Sequence, residues 1–95
     1  MNTANLQLEG LTMAVAAITR MLTEKGLATH QDIRSALKNA EEEAAASAGS
    51  ELSGSNQKGI LFLIRLLSLA NDAAERGESA SFKTFARQVG LSDRP

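Results

Sequence analysis

Between Ile60 and Leu69 the sequence reads ILFLIRLLSL, with eight large apolar side chains in ten positions. Wound as a helix, Ile60, Leu61, Phe62, Leu63, Ile64, Leu66, Leu67 and Leu69 surround nearly the whole axis. Only Arg65, Ser68, Asn71 and Asp72 interrupt, at three-four spacing along one narrow stripe. A helix that is apolar nearly all round has to be covered on most sides. Two arrangements satisfy that demand. The segment is the central helix of a monomeric bundle, or one of its faces is buried by a second copy of the chain. A membrane span is not expected, because the run is far shorter than the ~20 residues that cross a bilayer and is broken by Arg65 and Ser68.

What the rest of the chain offers as cover is limited. Ninety-five residues make one small domain, positions 1–95, with a radius of gyration of about 12 Å by the usual scaling. The aromatic residues are Phe62, Phe82 and Phe85, so the core must be aliphatic. β-Branched and aromatic residues are scarce, which favours helices over strands. The 43% hydrophobic and 22% charged content is that of a folded globular chain, not a disordered one. The net charge of −1 gives no basic field to attract nucleic acid. Cysteine is absent, which excludes disulfides, thiolate metal sites and cysteine nucleophiles. No Lys or Arg precedes Arg20, so a secretory signal is not expected and the expected location is cytoplasmic.

Upstream of the apolar run, Leu8, Leu11, Val15, Ile18 and Leu22 alternate by three and four. They form one seam of a helix from about Ala4 to Lys25, widened by Ala14, Ala17 and Met21. Gly26 stops this helix as a left-handed C-cap, with Leu27 expected to fold back over the last turn. Thr29 follows, with Asp32 three places on, close to a capping box, so a second helix starts almost at once. Ile33, Leu37, Ala40 and Ala44 give that helix its buried stripe. The stretch EKGLATHQDI is therefore a corner between two helices. His30, the only histidine, falls at the first helical position and is expected to be exposed, neither ligand nor catalyst. Glu41, Glu42 and Glu43 splay around the helix and cannot converge on one cation, so they read as a solvated face.

Residues 47–59, SAGSELSGSNQKG, break the periodicity and form a flexible Gly/Ser loop. They lack the spacing of a phosphate loop. After the apolar run, Asp72 and Arg76 are placed for an i, i+4 ion pair, and Gly77 caps the helix. A last helix is expected with Ser81 as N-cap, Phe82, Phe85, Ala86 and Val89 as its apolar face, and Gly90 as its C-cap.

The stretch FARQVGLSDRP, residues 85–95, resembles the middle of a DNA-binding helix-turn-helix. The resemblance implies Ala86 as the packing residue, Gly90 as the turn and Ser92 as the start of a recognition helix. The helix that would read bases is not expected after Ser92. Lys83, Arg87 and Arg94 are offset by Glu78 and Asp93, and no Tyr or Trp is present for stacking. The expectation is a capped terminal helix and no nucleic-acid partner.

The expected architecture is all-α: a four-helix array built from two helical hairpins, 4–48 and 58–91, joined by the loop 49–57. The expected function is non-enzymatic, through protein–protein interaction, as a homodimer or an accessory subunit. Its expected interface is Ile60, Leu63, Ile64 and Leu67, with no cofactor, no metal and no membrane. The alternative is a DNA-associated regulator. For an enzyme the candidates are His30 with Asp32, or Arg65 with Asp72, but nothing brings a nucleophile, a base and oxyanion donors together.

Overall fold

In the computed structural model the chain is all-helical. The residues it describes are 3–48 and 54–78, together with positions 84 and 87. Three helices follow in order: α1 (Thr3–Glu24), α2 (His30–Ala48) and α3 (Gly54–Glu75). Thr84 and Arg87 are both helical and exposed. The rest of the expected fourth helix, with Phe82, Phe85 and the helix-turn-helix-like stretch, lies outside the described residues, as do loop residues 49–53.

The helix ends follow from local chemistry. Gly26 sits at φ 72°, and α1 closes with Leu27 N–H donating to Leu22 O (2.9 Å) and Gly26 N–H donating to Thr23 O (3.1 Å). This is a Schellman motif, in which a left-handed glycine lets the chain satisfy the last carbonyls. Gly77, also at φ 72°, ends α3 in the same way, with Glu78 N–H to Ala73 O (2.8 Å) and Gly77 N–H to Ala74 O (3.1 Å). At the start of α2 the capping box is reciprocal. Asp32 N–H donates to Thr29 Oγ1 (3.0 Å), and Thr29 N–H donates to Asp32 Oδ2 (2.9 Å). Leu27 does not fold back: it is 72% exposed, so the hydrogen bonds alone close the corner.

α3 begins at Gly54, four residues before the expected boundary, so the loop read over 49–57 gives up its second half to helix. Polar and small residues are common in a first helical turn, where amide protons have no intrahelical partner, so their presence did not mark a loop there.

α3 is the centre of the packing. It lies along α2 over an extensive interface and along α1 over a smaller one, whereas α1 and α2 make no comparable interface with each other. The corner at Gly26 thus forms as read, but the two helices it joins meet through α3. The fully buried apolar side chains among the described residues are Ile33, Leu61, Leu66 and Ala73, with Phe62, Leu63, Leu69 and Ala70 packed around Leu66 and Ala73. The chain extends 41 × 30 × 25 Å with a radius of gyration of 13.8 Å.

α1 is turned differently from its hydropathy pattern. Its most buried residue is Thr12, 4% exposed, and Val15, Ala16, Thr19, Leu22 and Thr23 are half-buried. Leu8, Leu11 and Ile18, read as part of the buried seam, are exposed. The threonines tolerate burial because each hydroxyl donates to its own helix: Thr12 to Leu8 O (2.7 Å), Thr19 to Ala16 O (2.9 Å) and Thr23 to Arg20 O (2.9 Å). With the hydroxyl satisfied, the remaining methyl group packs as a small apolar one.

Candidate functional site

Two surfaces stand out, one polar and one apolar. The polar one is the seam between α2 and α3. The stripe of Arg65, Ser68, Asn71 and Asp72 that interrupts the apolar circumference of α3 meets complementary groups on α2. Arg65 Nε donates to Glu41 Oε1 at 2.6 Å, Arg34 Nε donates to Asp72 Oδ1 at 3.1 Å, and Arg34 also pairs with Glu75. The Arg34 guanidinium is held above its ordinary basicity, first by the hydrogen bond to Asp72 and then by that to Glu75. Glu41 is therefore not simply part of a solvated acidic face. Asp72 pairs with Arg34 across the interface, while Arg76, its expected partner, pairs with Glu78.

His30 also departs from expectation. It is half-buried and tied to Asn71, which is 8% exposed. Asn71 Nδ2 donates to His30 O at 2.9 Å, and Asn71 Oδ1 lies 3.0 Å from His30 Nδ1. With the amide nitrogen already donating, Oδ1 is the acceptor and His30 Nδ1 carries the proton. The histidine is a latch between the start of α2 and the end of α3. The sequence did hold a signal for this seam. His30, Arg34 and Glu41 share one face of α2, and Arg65, Asn71, Asp72 and Glu75 share one face of α3, with charges that complement each other when the helices run antiparallel.

These groups are engaged with one another. Asp32 is held in the cap. Among the described residues no group of three or more His, Asp or Glu side chains is placed to hold a metal ion, and no helix is long and apolar enough to cross a membrane.

The apolar surface lies on α1. Leu6, Leu8, Leu11, Met13, Ile18 and Met21 are all exposed, Leu11 by 62% and Ile18 by 55%. Of the expected interface on α3, Ile60 is 43% exposed, and Leu63, Ile64 and Leu67 are half-buried. Periodicity found an apolar seam on each helix, but not which seam the fold would leave open. Comparison with protein-family models, with curated proteins and with solved structures finds no match for this chain.

Proposed function

We propose that this is a non-enzymatic interaction protein that acts in the cytoplasm as a homodimer or an accessory subunit. The observation that carries the reading is the outer face of α1, where large aliphatic side chains stand in water along the helix. Soluble monomers rarely keep a contiguous apolar strip of this kind unless something docks on it. A structural role for the polar groups supports the non-enzymatic part: His30, Arg34, Arg65, Asn71 and Asp72 have interhelical partners. The full architecture we propose is the four-helix array, with the segment around Thr84 and Arg87 as its last helix. The strip of Ile60, Leu63, Ile64 and Leu67 is the second docking face, smaller because three of its members are already half-covered.

Sedimentation equilibrium at micromolar concentration tests the reading. The expected result is a concentration-dependent mass rising above that of the 10.0 kDa chain. Leu11→Glu with Ile18→Glu should abolish the rise if α1 carries the contact, and Ile60→Glu should abolish it if α3 does. A strictly 10.0 kDa species across the range removes the homodimer. If the α1 variant then leaves binding to every host partner intact, the interaction reading falls with it.

A further inference from the structure

We propose that the occupant of the outer face of α1 is the same face of a second copy, running antiparallel. The inference rests on the interaction reading above and gives it a geometry. Between Gln7 and Thr23 the only charged residues are Glu9 and Arg20. Both are exposed, and neither forms an ion pair among the described residues. They are eleven positions apart, about three helical turns, so they lie on one edge of the strip. Leu11 and Ile18 lie on the opposite edge.

Both pairs share one midpoint, between Ala14 and Val15. A two-fold axis through that point, perpendicular to the helix pair, sets Glu9 against the partner's Arg20 along one edge and Leu11 against the partner's Ile18 along the other. The same axis repeats each contact, so the interface is isologous and closes. In a parallel pair the two-fold runs along the helices and sets each edge against the opposite edge of the partner, so Glu9 and Arg20 would lie across from apolar side chains and gain no ion pair. Ala14, close to the axis, lets the two helices approach to about 8 Å, near the lower limit of helix packing.

The size is consistent with a reversible dimer. A 22-residue helix is about 33 Å long, and a strip about 10 Å wide on it projects on the order of 330 Å². That lies at the small end for a specific contact, for which about 800 Å² of accessible surface per partner is standard. Dissociation is therefore expected in the micromolar range. A membrane surface is a poorer occupant, because α1 brings Arg20 but also Glu9 and Glu24, with no basic border to meet anionic lipid. A docked foreign helix would not require the charge pattern to complement itself.

Charge reversal and cross-linking test the geometry. Glu9→Arg alone, or Arg20→Glu alone, should weaken the dimer about three- to tenfold at low salt, and the double reversal should restore it. The native chain has no cysteine, so engineered thiols report cleanly. With a thiol-specific bifunctional cross-linker of about 8 Å span, matched to the helix separation, Leu11→Cys chains mixed with Ile18→Cys chains should give the mixed cross-link in preference to either same-variant cross-link. Both sites are more than half exposed, so folding should be retained, checked by far-UV circular dichroism. A dimer that shows no preference for the mixed cross-link would mean another pairing and overturn the proposal. A dimer that ignores both charge reversals and yields no mixed cross-link, but is lost on Ile60→Glu, also overturns it while leaving the interaction reading in place.

Discussion

Replacing His30 with alanine removes the donor that Asn71 Oδ1 has among the described residues while leaving the α2 capping box in place. Asn71 is 8% exposed, so water does not readily replace the lost donor. Leaving a buried acceptor without a partner costs about 1–3 kcal/mol. For a domain of this size each kcal/mol lowers the melting temperature by about 4–8 °C. Thr29→Ala is the internal standard, since losing a threonine N-cap costs about 1 kcal/mol. His30→Ala is therefore expected to be at least as damaging as Thr29→Ala, the reverse of what an exposed histidine would give. The assay is urea unfolding followed by far-UV circular dichroism, with His30→Ala, Asn71→Ala and the double variant closing a cycle. A coupling energy of about 0.5–3 kcal/mol is expected for residues in direct contact. A His30→Ala loss within ~0.5 kcal/mol and no coupling to Asn71 would refute the latch.

Three further outcomes follow from the packing. Thr12→Val should leave stability unchanged or raise it, because the methyl face is kept and Leu8 O loses only an extra donor, whereas Thr12→Ser should cost about 0.8 kcal/mol for the buried methyl; urea midpoints decide. Gly26→Ala and Gly77→Ala should each cost about 1–2 kcal/mol through backbone strain alone, since a Cβ at either site meets no atom within 4 Å, and thermal melts should show it. Arg34→Ala should lower the melting temperature less at about 1 M salt than at about 0.01 M, because its partners Asp72 and Glu75 are solvent-accessible.

What could be read from the sequence was mostly what is local. The caps at Gly26 and Gly77 and the box of Thr29 with Asp32 depend on residues within a turn of one another, and they stand where residue chemistry placed them. The orientation of α1 was not local. Hydropathy ranks Thr12, Thr19 and Thr23 with the polar residues and does not register that their hydroxyls bond to the same helix. The Leu8–Leu22 seam was real as a pattern, but burying a face requires a matching neighbour. On α3 the stripe from Arg65 to Asp72 was legible as a stripe, and its use was not. Only the spatial pairing with Arg34 and Glu41 turned an interruption into an interface. His30 was misjudged for the same reason, since its partner Asn71 is 41 positions away.

The inward threonines of α1 also bear on translation along the bundle. α2 and α3 are keyed to one another by bonds of fixed address, from His30 to Asn71, Arg34 to Asp72 and Glu41 to Arg65. Among the described residues α1 makes no such side-chain bond to another helix: the hydroxyls of Thr12, Thr19 and Thr23 bond within α1. The side chains it buries or half-buries are Thr12, Val15, Ala16, Thr19, Leu22 and Thr23, mostly small and spaced by three or four. Sliding by one turn, about 5.4 Å, replaces most of the small ones by another of similar shape, with Leu22 the bulky exception. Such a contact resists separation but discriminates weakly between neighbouring registers. Among the three described helices, the one with the most exposed apolar surface is thus also the one whose axial position the other two specify least.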